Sequence, residues 1–112
     1  MNERIISLRE LALCDGKKKR EIWIGLDGAV YDVTQSGAFY GPGGGYSFLA
    51  GRDATLALAR SSLDPNNAEG HGSARVGELS GKELSTLDQW VAKFSQKYRR
   101  VGALVADSSS KL

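Results

Sequence analysis

Residues 34–53 read TQSGAFYGPGGGYSFLAGRD, and this stretch is the most informative part of the chain. It combines six glycines and one proline with two tyrosines and two phenylalanines. Flexible linkers are rich in glycine and serine, but not in aromatic residues. Glycines mixed with large rings favour a structured loop, in which the backbone approaches other groups closely while aromatic side chains are presented.

A β-hairpin is predicted immediately before this stretch. Two β-rich runs, 21–26 (EIWIGL) and 29–33 (AVYDV), flank the dipeptide Asp27-Gly28. This dipeptide suits a type I′ turn, because that turn needs positive φ at both of its central residues.

Two short helices are predicted on either side of these elements. Ser7 and Glu10 have the spacing of a capping box, which indicates a helix over about 8–13. Asp53 can cap a second helix over 54–60, and a long loop is expected from 63 to 77.

A longer amphipathic helix is predicted over about 81–100, after a second capping box at Ser80 and Glu83. Its apolar side chains recur at spacings of three and four residues: Leu84, Leu87, Val91, Phe94, Tyr98 and Val101. We expect one domain over 1–106 and a flexible tail over 107–112.

The composition is that of an ordinary globular domain. The 112 residues include 41% hydrophobic and 25% charged residues, so the body of the chain is not expected to be disordered. A net charge of +2 does not favour nucleic acid as a partner. No run approaches ~20 apolar residues, and the single cysteine, Cys14, allows no intramolecular disulfide and fits a reducing compartment.

One dense basic block stands out, Lys17-Lys18-Lys19-Arg20. The simpler interpretation is a solvated loop before a strand. The alternative is a contact with anionic lipid or with an acidic partner.

Enzyme chemistry has little support in this sequence. The one histidine, His71, lies in a Gly- and Asn-rich loop (NNAEGHGS), where a solvated surface side chain is expected. No metal-binding pattern of Cys and His is present. The glycines at 41 and 43–45 fit neither phosphate-binding fingerprint.

Tyrosine is the remaining candidate for chemistry. Tyr40 and Tyr46 flank the glycines, and Tyr98 follows Lys97 on the predicted long helix. A phenolate can ligate haem iron, but its ordinary pKa of ~10 requires a cation or hydrogen-bond donors nearby. The alternative, that all four tyrosines are core aromatics with solvated hydroxyls, stays open at this point.

Several blocks of sequence carry a family resemblance, in the right order over about residues 5–104. They are Tyr31-Asp32-Val33-Thr34, Phe39-Tyr40-Gly41-Pro42-x-Gly44-x-Tyr46, Phe48-x-Ala50-Gly51-Arg52-Asp53-Ala54, Leu58-Ala59, Leu87-x-x-Trp90 and Phe94-x-x-Lys97-Tyr98-x-x-Val101-Gly102. Together they closely resemble the membrane-associated progesterone receptor component family.

The resemblance implies a cytochrome b5-like α+β fold, in which a small β-sheet supports helices that form a haem pocket. It implies that Tyr46 is the axial ligand of ferric haem b. It also implies that Tyr40, Lys97 and Tyr98 surround that ligand as hydrogen-bonding and charge partners. Arg52 and Asp53 would order the loop and cap the next helix.

Two features separate this chain from better-known patterns. The founding cytochromes b5 hold iron with two histidines, and the single histidine here excludes that ligation within a monomer. Gly43–Gly45 replace bulkier residues often found in the family. Glycine loses more backbone entropy on ordering, so we expect a mobile loop without haem and a lower haem affinity.

The resemblance implies a non-enzymatic haem-binding module that acts in haem handling, or as a haem-regulated partner of haem-thiolate monooxygenases and sterol metabolism. Other membrane proteins and a haem-mediated dimer are further expected partners. The alternatives are a haem-independent interaction or steroid- or lipid-binding domain, and a less favoured low-potential electron-transfer protein. We expect an intracellular location, on the endoplasmic reticulum membrane if an anchor segment precedes the domain and in the cytoplasm otherwise.

Overall fold

The computed structural model describes residues 3–106 as a four-stranded sheet with helices on both faces. The strand order is β1-β4-β3-β2, with β1 parallel to β4 and the other pairs antiparallel. The strands are β1 (Ile5–Ser7), β2 (Trp23–Leu26), β3 (Ala29–Asp32) and β4 (Arg99–Val105). The predicted α+β class is confirmed.

Within residues 3–106, four α-helices and four short 3₁₀-helices accompany the sheet. The α-helices are α1 (Leu8–Leu13), α2 (Gly37–Tyr40), α3 (Thr55–Ala59) and α4 (Gly81–Lys97). The 3₁₀-helices are Thr34–Ser36, Ser47–Leu49, Pro65–Ala68 and Gly72–Glu78. Over the described residues, no helix has the length and apolar character needed to cross a membrane.

The predicted hairpin is confirmed. Leu26 pairs with Ala29 across the turn, and Asp27 and Gly28 have φ values of 50° and 83°. Positive φ at both positions is what a type I′ turn requires, so the Asp-Gly dipeptide sets the register of β2 and β3.

The helix starts predicted at Ser7 and at Ser80 are also confirmed. The Ser7 side chain accepts a hydrogen bond from the Glu10 N–H (3.0 Å) at the start of α1. At the start of α4, Ser80 Oγ accepts from the Glu83 N–H (3.1 Å), and the Ser80 N–H donates to Glu83 Oε1 (2.8 Å). The capping box thus provides acceptors for the N–H groups of Glu83 and Ser80, which have no partner within the helix.

The sheet divides the core into two clusters, because alternate residues of a strand point to opposite faces. On β3, Val30 belongs to a smaller cluster under α1, whereas Tyr31 faces the larger cluster formed with α2, α3 and α4. The smaller cluster comprises Ile6, Leu11, Cys14, Trp23, Val30 and Leu104. The larger one supports the groove described below.

The predicted C-terminal end of the long helix is wrong. α4 ends at Lys97, Tyr98 is its extended C-cap, and Val101 belongs to β4 rather than to a helix face. Gly102 lets the backbone of Arg4 approach β4 closely, because a Cβ at this position would collide with the Arg4 carbonyl oxygen. That carbonyl accepts a hydrogen bond from the Ala103 N–H (2.9 Å).

The loop expected over 63–77 contains the 3₁₀-helices Pro65–Ala68 and Gly72–Glu78, so it is more regular than predicted. The tail expected over 107–112 lies outside the described residues, and the domain boundaries stay a prediction.

Candidate functional site

The glycine-rich loop after α2 folds back on itself. The Tyr46 N–H donates to the Phe39 carbonyl oxygen (2.9 Å), which closes the loop. Gly44 makes this possible, since a Cβ there would collide with the same carbonyl oxygen. The closure places the rings of Tyr40 and Tyr46 with their centroids 6.2 Å apart.

α4 supplies the opposite wall through residues at helical spacing, which share one face of a helix. Phe94 is fully buried, and the edges or faces of its neighbours pack against it. Its ring centroid lies 6.2 Å from Tyr40, 5.1 Å from Tyr98 and 6.2 Å from Trp90. This aromatic cluster fixes the floor of a groove between the loop and α4.

The groove has a cavity volume of about 230 Å³. Its lining residues are Phe39, Tyr40, Tyr46, Trp90, Lys93, Phe94, Lys97 and Tyr98. The structure thus brings together all four predicted site residues, Tyr40, Tyr46, Lys97 and Tyr98, although Tyr98 lies just after α4 and not on it. Their role in binding stays a prediction.

A second groove, with a cavity volume of about 360 Å³, adjoins the first. The two share Tyr46 and Trp90. Its remaining lining residues are Phe48, Leu49, Ala57, Leu58, Ser61, Ser62 and Leu63. The sequence did not identify Phe48 and Trp90 as groove residues, although the spacing of Trp90 and Phe94, four apart, could have placed both on one helix face.

The three groove tyrosines differ in exposure. Tyr46 is 43% exposed, whereas Tyr40 and Tyr98 are each 8% exposed. The Tyr98 hydroxyl pairs with Ser36 Oγ at 2.8 Å. Burial, together with the nearby Tyr98 and Tyr46, raises the pKa of Tyr40 to about 12. Tyr40 is therefore a neutral hydrogen-bond donor at physiological pH, and Tyr46 is the tyrosine that a ligand can reach.

Two lysines give the groove a positive rim. Lys97 Nζ lies 5.5 Å from the Tyr98 ring centroid, and Lys93 Nζ lies 4.7 Å from the Trp90 ring centroid. No acidic residue lines this groove among the described residues. The local charge therefore favours an anionic ligand group, such as a carboxylate.

His71 is not the solvated surface residue that the sequence predicted. Its side chain is 24% exposed, and its Nδ1 lies 3.1 Å from Asp53 Oδ2. The Asp53 side chain is fully buried, so His71 belongs to a polar network in the core and not to either groove. The reason is non-local: His71 and Asp53 are eighteen residues apart in sequence and meet only in the fold.

The predicted cap of α3 is wrong by one residue, because the N-cap position is Ala54 and no side chain caps this helix. The Oδ1 of Asp53 instead accepts from the N–H and Oγ1 of Thr55 (3.2 and 2.6 Å). The N–H and Oγ of Ser73 also donate to Asp53 (2.7 and 3.1 Å). The side chain of Arg52, which was expected to order the loop, is exposed and makes no ion pair within residues 3–106.

The side-chain groups of the tyrosine groove are of the kind that can ligate haem iron. Across the described residues, no group of His, Cys, Asp and Glu could hold a metal ion, and the single His71 is engaged by Asp53. Tyr46 offers an accessible oxygen at the junction of two grooves with aromatic walls. The lysine rim could meet the carboxylates of a haem group.

Comparisons with known proteins agree with this fold. The family described as "Cytochrome b5-like Heme/Steroid binding domain" matches residues 7–105. A solved Arabidopsis thaliana structure described as having a cytochrome b5-like fold superposes with a TM-score of 0.77 at 34% identity, covering 93% of each chain.

Three curated relatives show similar agreement. Protein vem-1 of Caenorhabditis elegans is 42% identical and covers 95% of this chain. Human membrane-associated progesterone receptor component 2 is 34% identical over 94% of the chain, and the fission yeast Schizosaccharomyces pombe cytochrome P450 regulator dap1 is 36% identical over 87%.

The matched region spans 56%, 47% and 60% of the length of these three relatives, respectively. The chain therefore spans about half the length of these relatives. From the family match, the relatives and the shared fold, we conclude that the chain belongs to the cytochrome b5-like haem/steroid-binding domain family and, within it, to the membrane-associated progesterone receptor component family.

Proposed function

We propose that the chain binds ferric haem b through the phenolate oxygen of Tyr46. The observation that carries this proposal is the contrast among the groove tyrosines: Tyr46 is accessible, while Tyr40 and Tyr98 are buried. Bound haem supplies a ferric iron that accepts an anionic oxygen ligand. The family description, which includes haem, supports the choice of cofactor.

The surrounding residues would stabilise the phenolate in different ways. Tyr40, kept neutral by its raised pKa, can donate a hydrogen bond toward Tyr46, whose ring centroid is 6.2 Å away. Lys97 adds a positive charge at the rim, which would attract an anionic group of a bound ligand. Tyr98, held by Ser36, would fix the position of the groove wall.

A haemin titration followed in the Soret region tests the ligand. Tyr46→Phe is expected to remove most haemin binding and leave the fold intact, because it deletes the oxygen without changing the ring. Tyr31→Phe is the matched control, since Tyr31 lies in the core outside both grooves. Unchanged affinity and spectrum in Tyr46→Phe would show that another group binds the iron.

Tyr40→Phe should have a milder effect in the same titration. It removes one neutral hydrogen bond, worth ~1 kcal/mol or roughly a fivefold loss of affinity. A loss as large as that of Tyr46→Phe would instead make Tyr40 the ligand.

We further propose a non-enzymatic role in haem handling or in regulating haem-thiolate monooxygenases at an intracellular membrane. One relative is named a cytochrome P450 regulator, and others are named as membrane-associated proteins.

The open outer side of Tyr46 would also let two haem-loaded copies associate. Gel filtration with and without haemin tests this, and a monomer in both conditions argues against association.

A second candidate function is the binding of a steroid or another apolar ligand. The larger groove, of about 360 Å³, is lined by Phe48, Leu58, Leu63 and Trp90 and could hold such a molecule. Titration of the haem-free protein with progesterone, followed by tryptophan fluorescence, tests this function. Trp90→Phe should abolish a fluorescence response that comes from this groove, whereas Trp23→Phe should leave it.

A further inference from the structure

The loop between α1 and β2 presents a basic block on an ordered support. Asp15 Oδ1 accepts from the N–H groups of Lys17 and Lys18 (both 2.9 Å), and Asp15 Oδ2 accepts from Lys18 Nζ (2.7 Å). Partial burial alone would raise the pKa of Asp15, but these hydrogen bonds outweigh it and lower the pKa to about 2. The loop is therefore closed at its base at any physiological pH.

The backbone closes the same loop a second time. The Gly16 N–H donates to the Glu21 carbonyl oxygen (3.0 Å), and Asp15 forms a β-bridge with Ile22. Gly16 has a φ of 82°, which few other residues adopt easily. Residues 17–20 thus project from a fixed base, and all of them are exposed.

The charges of this block are mostly unneutralised. Lys18 pairs with Asp15, but Lys17, Lys19 and Arg20 make no ion pair within the described part of the chain. By contrast, Arg60 just after α3, the arginine of Gly72–Glu78 and the two arginines of β4 each pair with a carboxylate. Positive charge without an acidic partner is therefore dense at this loop, as it is at the lysine rim of the tyrosine groove.

Arg52 extends the basic block from a second segment of the chain. It shares a groove of about 250 Å³ with Lys17, together with Pro42 and Phe48 of the glycine-rich loop. Arg52 is exposed and, like Lys17, has no acidic partner among the described residues. We call Lys17, Lys19, Arg20 and Arg52 the basic surface.

We infer that the basic surface binds the anionic phospholipid headgroups of a membrane. Clustered lysines and arginines are attracted to an anionic leaflet, and their charges act within a Debye length of it. The composition favours lipid over a protein partner, because protein interfaces are enriched in aromatic anchors and depleted in lysine. The basic surface has two lysines and no aromatic side chain, and the aromatic side chain in the adjoining groove, Phe48, is half-buried.

Such a contact would have a consequence for the candidate site. Phe48 lines both the groove beside the basic surface and the larger apolar groove next to Tyr46. A membrane bound at the basic surface would therefore lie beside one wall of the apolar groove. Apolar ligands could then pass between the bilayer and that groove over a short distance.

Vesicle co-sedimentation of the 112-residue chain tests the inference without haem. We expect binding to vesicles of phosphatidylcholine that contain about one-third phosphatidylserine, and no binding to vesicles of phosphatidylcholine alone. Each basic residue near an anionic leaflet contributes roughly fivefold to partitioning, so the variant K17Q/K19Q/R20Q should bind about a hundredfold more weakly. Raising the salt concentration should weaken wild-type binding in the same direction.

The matched control is R75Q/K82Q/R100Q, which removes the same net charge from other exposed positions. It should keep binding within about threefold of wild type, since charges beyond a Debye length of the membrane act weakly. An equal loss in both variants would reduce the effect to net charge and overturn the inference. So would absence of wild-type binding, or binding to an acidic peptide such as polyglutamate but not to the vesicles.

Circular dichroism and the thermal midpoint of each variant guard against loss of folding. K17R/K19R keeps the charges and should bind like wild type even if the glutamine variant proves unstable. Loss of binding in K17R/K19R would contradict a charge-based contact.

Discussion

The Asp53 network and the tyrosine groove both place polar groups against the larger core, but they use them differently. Asp53 is fully buried, and donors from Thr55, Ser73 and His71 surround its two oxygens. Tyr46, by contrast, is 43% exposed at the junction of two grooves. The protein itself satisfies the hydrogen-bonding capacity of the Asp53 carboxylate, whereas the Tyr46 hydroxyl stays available to a ligand.

The Asp53 network also reaches the hairpin turn. The Asp27 N–H donates to Thr55 Oγ1 (2.9 Å), and the Gly28 N–H donates to Ser73 Oγ (2.8 Å). A single carboxylate therefore connects the β2–β3 turn with α3 and with Gly72–Glu78. The comparison teaches that changes in this network should affect folding, whereas changes in the groove should affect binding.

The largest expected effect separates the two regions directly. Asp53→Asn places an NH₂ group among hydrogen-bond donors in the core, which should lower the free energy of unfolding by about 3 kcal/mol. Urea unfolding measures this change, with the exposed Asp88→Asn as a control expected within about 0.5 kcal/mol. The folded fraction should still bind haemin normally. A loss below about 1 kcal/mol would mean that the network is not important for stability.

A change of redox state should affect only the tyrosine groove. A phenolate carries a full negative charge and is attracted more strongly to ferric than to ferrous iron, so reduction should weaken haem binding by ten- to a thousandfold, or roughly 1.4 to 4 kcal/mol. Thermodynamic linkage requires this difference in binding free energy to appear also as a lowered reduction potential of the bound haem. Paired haem titrations, aerobic and with dithionite, and spectroelectrochemistry measure it. Equal affinities, or a potential above that of free haem, would contradict the Tyr46 ligand and favour electron transfer.

Alkaline pH should show what burial of Tyr40 costs. Because the folded pKa of about 12 exceeds the ordinary value of 10.0, the stabilisation from neutral Tyr40 is present below pH 10. It is lost as the pH rises through 12, by up to about 2–3 kcal/mol. Urea unfolding of the wild type and of Tyr40→Phe, from about pH 9 to about pH 12, measures the loss. If the free energy of unfolding fell in parallel for the two proteins, a group other than Tyr40 would cause the alkaline transition.

The smallest expected effect concerns His71. His71→Ala removes one hydrogen-bonded partner of Asp53 and should cost ~1 kcal/mol of stability. Haemin affinity and spectrum should not change, because His71 lines neither groove. A low-spin haem spectrum that disappears in this variant would instead make His71 an iron ligand and remove the distinction between the two regions.

Local sequence signals predicted the elements whose structure depends on neighbouring residues. The Asp27-Gly28 dipeptide predicted the hairpin, and the Ser80–Glu83 capping box predicted the start of α4. The family motifs named the four residues Tyr40, Tyr46, Lys97 and Tyr98, which the fold then brings into one groove. Their chemical roles depend on a ligand and stay predictions.

The features that the sequence did not predict are non-local. Helical spacing continues from Phe94 to Val101, yet β4 begins at Arg99 because β1 and β3 pair with its backbone. β1 has three residues, too few to show a periodic pattern. His71 likewise looked solvated because its partner, Asp53, lies in another segment. No window of neighbouring residues contains these contacts.

The parallel pairing of β1 with β4 has a mechanical consequence. Ile5 lies opposite Ala103 and Ser7 opposite Val105, so the chain enters one strand and leaves the other within a short distance. Pulling on residues 5 and 105 in opposite directions would slide these parallel strands past one another. The hydrogen bonds between them would then share the force together and would not open one at a time. A tether at either side of the domain would therefore load the sheet in shear, the direction in which paired strands resist rupture best.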